Sequence, residues 1–111
     1  MSREQALQVI NLVIELLTPE HKWTKDGLFD QECRITDSAF TLSCALKLMQ
    51  LSVTGNYESR NLVMRKVRNK IKWHFFWRQG FHPIYAFNKH KKTTYDDVML
   101  VLDKVKASLQ S

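Results

Sequence analysis

The two ends of the chain carry the same local signature, and it obliges the polypeptide to begin and end in helix. Near the start, Ser2 is followed three residues later by Gln5; near the end, Thr94 is followed by Asp97. In this capping box the hydroxyl accepts from a backbone N–H of the first turn, and the later side chain accepts from the cap's own N–H. Behind Ser2, residues Ala6, Ile10, Val13, Ile14 and Leu17 recur at helical spacing, with Leu7, Val9, Leu12 and Leu16 widening the stripe. A stripe that wide predicts a helix largely covered by the rest of the fold, stopped at Pro19. Behind Thr94, residues Tyr95, Val98, Met99, Leu102, Val105 and Leu109 make one stripe, and Asp96 and Asp97 stand at the positive end of the helix dipole.

Between these ends the pattern changes twice. From Pro19 to Asp37 the helical period disappears; Trp23–Phe29 and Cys33–Thr36 read as two brief extended pieces around Asp30-Gln31-Glu32, a small hairpin or an irregular loop. Asp37 or Ser38 is positioned to cap a second helix through Phe40, Leu42, Ala45, Leu46, Leu48, Met49 and Leu51, ended by Gly55-Asn56. A third helix, capped near Ser59, runs to Lys72 or beyond on the apolar face Val63, Met64, Val67 and Ile71. The run Trp73–Trp77 either extends that helix or becomes a strand. Gly80 suits a helix C-cap, Pro83 stops regular structure, and Ile84–Phe87 reads as a short strand. The expected architecture is therefore one α+β domain over residues 1–111: three to four helices packed on a small two- or three-stranded antiparallel sheet.

Charge is the most informative feature for function. The chain of 111 residues has 17 basic and 11 acidic side chains, a net charge of +6. Met1–Ser59 and Thr93–Ser111 are each slightly acidic, whereas Arg60–Lys92 holds ten cations and no carboxylate. Such a block attracts anionic partners at long range. Arg65, Arg68 and Lys72 fall at i, i+3 and i+7, so one helical ridge could follow a line of phosphates. Arg60, Lys66 and Lys70 flank that ridge, Arg78 follows it, and Lys89, Lys91 and Lys92 supply a second patch on a loop. Seven aromatics share the block: Trp73, Phe75, Phe76, Trp77, Phe81, Tyr85 and Phe87. Most are expected to be core; any that are exposed could stack on unpaired bases. Gly55-Asn56-Tyr57-Glu58 comes close to the turn of a helix-turn-helix, which needs three or four residues.

Some segments resemble a small uncharacterised family encoded in bacterial and phage genomes. They are Trp23-Thr24-Lys25-Asp26-Gly27, Cys44-Ala45-Leu46, Ala86-Phe87-Asn88 and Thr93–Val98, within a span of roughly residues 5 to 109. Lys89 departs from the family's aspartate after the asparagine, and Lys47 from the small residue after Cys-Ala-Leu. The resemblance implies a shared fold and a phage origin, and it names no reaction.

No reactive constellation is legible. His21, His74, His82 and His90 show no metal-ligand spacing, and Cys33 and Cys44 are too far apart for a zinc knuckle. His74, His82 and His90 are expected to add switchable charge to the basic block. The two cysteines are expected to be reduced, with Cys44 a small buried hydrophobe. Gly27, Gly55 and Gly80 are too widely separated for a phosphate loop, and a Cys–His pair has neither a third group nor an oxyanion pocket. No apolar run reaches the ~18 residues of a membrane span, and the first residues lack a secretory leader. The reading is a cytoplasmic, non-enzymatic binding protein without metal or small-molecule cofactor, engaging nucleic acid or an acidic host protein. Its second form is a phage counter-defence or host-takeover inhibitor acting by protein–protein binding.

Overall fold

The apolar stripes of the sequence are packed against one another in the computed structural model, which describes residues 1–28, 31–78, 80 and 82–111. Among those residues the chain forms α1 (Arg3–Leu16), α2 (Leu42–Thr54), α3 (Leu62–Phe75), α4 (Pro83–Lys89) and α5 (Tyr95–Gln110). Single 3-10 turns occupy Glu20–Lys22 and Phe76–Arg78. The α1 helix packs on α2, α5 and α3, while α3 also meets α5 and α4. Val9, Ile10, Val13, Leu46, Val67, Ile71, Phe87, Val101 and Leu102 are fully buried at their junction. Each such side chain contributes roughly 1.5–3 kcal/mol of transfer free energy.

Both capping boxes form. The Ser2 hydroxyl accepts from Gln5 N–H at 3.1 Å and Gln5 Oε1 from Ser2 N–H at 3.0 Å. Thr94 Oγ1 accepts from Asp97 N–H at 3.3 Å and Asp97 Oδ2 from Thr94 N–H at 3.1 Å. Inner caps sit two to four residues beyond the expected positions. Thr41, not Asp37 or Ser38, caps α2 by accepting from Cys44 N–H; Asn61, not Ser59, caps α3 by accepting from Met64 N–H. Gly55 ends α2 with φ 82°, a left-handed conformation that favours glycine.

The expected α+β architecture is wrong: the described residues form no sheet, and their one isolated bridge joins Trp23 to Phe40 in parallel sense. The presumed strand Ile84–Phe87 is the body of α4. Pro83 opens that helix instead of blocking it, because the first helical position needs no N–H and proline presets its φ. Ile84, Phe87 and Asn88 then turn inward together at i, i+3 and i+4. The segment after Trp23 pairs with the approach to α2 through Thr24 N–H to Phe40 O at 3.0 Å, and not with residues 33–36 as in a hairpin. Phe29 and Asp30 of that reading lie outside the described residues. Trp73–Phe75 complete α3, and its C-cap is Phe76, where the 3-10 turn begins, so Gly80 is not the C-cap of α3.

The cysteines are also not as expected. Cys33 and Cys44 form a disulfide, with Cα atoms 5.5 Å apart. The loop folds back over the first turn of α2, bringing together two residues that sequence separation alone left unpaired.

Asn88, almost wholly buried, ties three segments together. Its Oδ1 accepts from Trp23 Nε1 at 2.6 Å and from Leu42 N–H at 3.1 Å; its Nδ2 donates to Thr24 O at 3.2 Å. Two further side chains tie α1 to α5. Tyr95 donates its hydroxyl to Leu17 O at 2.9 Å, and Arg3 donates to the carbonyls of Ser108, Leu109 and Ser111 at the end of α5.

Candidate nucleic-acid interface

The helix α3 is the centre of the basic block, and its buried stripe of Val63, Met64, Val67, Ile71 and Phe75 divides the remaining side chains into two flanks. One flank carries Arg65 and Arg68, with Lys72 continuing the line by spacing. The other carries Lys66, Lys70 and Trp73, followed by Trp77 on the 3-10 turn. The cations therefore do not share a single ridge.

The arginine flank faces an open groove of about 730 Å³ between α2, α3 and α4. Arg60, Arg65 and Arg68 line it together with Lys47 of α2, and no carboxylate lines it among the described residues. Their placement starts from the α2–α3 connection. Gln50, fully buried, accepts through Oε1 from the Asn61 side-chain amide and from Glu58 N–H, so the cap of α3 is held to α2. Arg68 donates to Ser59 O at 2.7 Å. Burial, and then the charges of Arg60 and Arg65, press the Arg68 pKa downward, while Tyr57 opposes them. Guanidinium still stays charged at any ordinary pH. Lys47 Nζ lies 5.8 Å from the centre of the Tyr57 ring, and burial pushes the Tyr57 phenol upward against the pull of Arg68.

The opposite flank is aromatic. Trp73, Phe76 and Trp77 are 74%, 63% and 65% exposed, which places them on the surface and corrects the expectation that most of the seven aromatics are core. Phe75 and Phe87 are the buried ones, with ring centres 5.1 Å apart; Tyr85 is half-buried, and Phe81 lies outside the described residues. Phe76 and Trp77 meet edge to face at 6.5 Å. Lys66 at the base of this flank donates to Ser108 Oγ at 2.8 Å, whereas Lys70 lies one turn further along the same flank.

Other expected site residues have structural duties. Arg78 donates to Asp97 Oδ2 at 2.6 Å and lies 4.7 Å from the Phe75 ring centre, pinning the 3-10 turn to the start of α5. Although burial alone would raise the Asp97 pKa, hydrogen bonds from Arg78 and Thr94 hold it below the usual carboxylate range. Lys89 donates to Gly27 O at 3.2 Å beside the Tyr85 ring. Lys91 and Lys92 are exposed on the α4–α5 loop, where Lys25 donates to the carbonyls of His90 and Lys91. Desolvation and then the cations Arg78, Lys91, Lys92 and Lys25 lower the His90 pKa.

A family model covers residues 1–108, nearly the whole chain. The chain belongs to DUF6197, a family of unknown function. No curated protein and no solved structure matches it. In this family member, no three His, Cys, Asp or Glu side chains among the described residues gather to hold a metal ion. No helix of the described residues is long and apolar enough to cross a membrane. Residues 55–61 separate α2 from α3, too many for a helix-turn-helix. Sequence reading missed Lys47, Tyr57 and the disulfide at the groove. The lysine was visible only as a departure from the family pattern.

Proposed function

We propose that this protein is a phage-encoded, non-enzymatic binding module that engages single-stranded nucleic acid through α3 and the turn that follows it. The observation that carries the reading is the exposure of Trp73, Phe76 and Trp77 on the flank of α3 that also carries Lys66 and Lys70, in a stretch of sequence without a carboxylate. A surface indole offers a flat face to any unpaired base, and stacking contributes ~1–3 kcal/mol per base irrespective of sequence. Neighbouring ammonium groups neutralise the phosphates and release their counterions. A protein-directed inhibitor is the second reading, favoured by the same aromatic cluster, because tryptophan and arginine dominate interface hot spots.

The setting we propose is the cytoplasm of a host cell. The Cys33–Cys44 bond pulls the other way, since disulfides persist mainly in oxidising compartments.

Titration of a fluorescent single-stranded oligonucleotide tests the reading. Affinity should fall steeply with salt, and Trp73→Ala with Trp77→Ala should weaken binding by about tenfold or more. Binding insensitive to both salt and the double substitution would overturn nucleic acid as the partner of this flank.

A further inference from the structure

The groove on the opposite flank of α3 has its own chemistry, separate from the exposed tryptophans. We propose that it is a binding site for a free nucleoside di- or triphosphate, with the phosphates on Arg60, Arg65 and Arg68 and the base over Met64 beside Tyr57.

Its volume of about 730 Å³ is that of a small-molecule site. Four cations line it, drawn from α2, α3 and the loop before α3, without a described carboxylate to neutralise them. A solvated helix face would place such charges on the outside of one element; here two elements aim them into a shared concavity. Behind the larger effect of burial, Arg60 and Arg65 also press the Arg68 pKa downward, the repulsion expected when like charges converge. An anion between them removes that repulsion. Three guanidiniums, each able to hold two oxygens in parallel, suit a chain of phosphates better than a single carboxylate.

Apolar surface completes the site. Met64 and Ile84 are buried side chains whose edges reach the groove, and Tyr57 is 38% exposed at its rim. This is surface on which a planar, partly apolar ring can lie. Arg60 and Arg65 are both exposed and are not among the hydrogen-bonded side chains that hold α3 to its neighbours, so replacing them tests charge without dismantling the helix.

Isothermal titration with ADP, pyrophosphate and adenosine decides the matter. ADP should bind more tightly than either fragment, and Arg60→Gln with Arg65→Gln should weaken ADP by about tenfold or more. Trp73→Ala with Trp77→Ala should leave ADP binding unchanged, so failure here and failure of oligonucleotide binding are distinct results. ADP-induced NMR shifts in the wild-type protein at the Met64 methyl and the Tyr57 ring provide a readout independent of any variant. The proposal falls if ADP does not bind at millimolar concentration, if the arginine variant with unchanged circular dichroism binds as before, if adenosine or pyrophosphate alone matches ADP, or if the shifts lie elsewhere.

Discussion

The two flanks of α3 are built from one stretch of sequence and differ in what supports them. The arginine flank looks into a groove whose other walls come from α2, α4 and the disulfide-closed loop, so its shape depends on contacts remote in sequence. The tryptophan flank is local: Trp73, Phe76 and Trp77 follow one another around a helix end and need only that end to be fixed. A concave site is a tertiary property, whereas an exposed aromatic ledge is close to a secondary one. The first should be fragile to distant mutation and the second robust.

The largest expected effect separates them most sharply. Asn88→Ala removes the acceptor of the Trp23 indole and of Leu42 N–H, leaving a half-buried and a buried donor unpaired at the start of α2, next to the groove-lining Thr41. It should cost about 2–4 kcal/mol in urea unfolding. In conditions where the variant is still folded, groove ligands should be lost before the oligonucleotide affinity of the tryptophan flank. Equal loss of both would erase the distinction.

Arg78→Met is the next test, because Arg78 fixes the end of the tryptophan flank to α5. The Asp97 carboxyl titrates below its unfolded counterpart, so the stabilisation it shares with Arg78 is complete above the unfolded value. That stabilisation is lost as pH falls through the lower, folded value. Substitution should cost about 1–3 kcal/mol at neutral pH and less at about pH 3, which urea midpoints at the two pH values would measure. A cost that does not shrink in acid would show that the ion pair does not hold this turn.

The smallest effect belongs to the ledge itself. Trp73→Ala with Trp77→Ala should change unfolding free energy by no more than about 0.5 kcal/mol, as expected where side chains bury little. A drop of several kcal/mol would mean that these indoles are packed and not displayed.

These differences also explain what could be read in advance. Ser2–Gln5 and Thr94–Asp97 announce α1 and α5 because a capping box lies within four residues. The apolar faces of α2 and α3 follow from periodicity over several turns. Ile84-Tyr85-Ala86-Phe87 was too short for either period to declare itself, and only the burial of Ile84 with Phe87 shows the helix. Charge segregation singled out α3 but could not distribute its cations between two faces. The groove was out of reach, since it recruits Lys47 from outside the acid-free block and Cys33 from a loop without periodicity.

The guanidinium of Arg3 joins the first turn of α1 to the last carbonyls of α5, so residues near both termini are hydrogen-bonded neighbours. From residue 1 to residue 111 the backbone path is thus nearly a closed ring. A short peptide bridging the ends would complete it, and the ring could then be cut at the exposed Gly55 turn to give a permuted chain with the same helices in a new order.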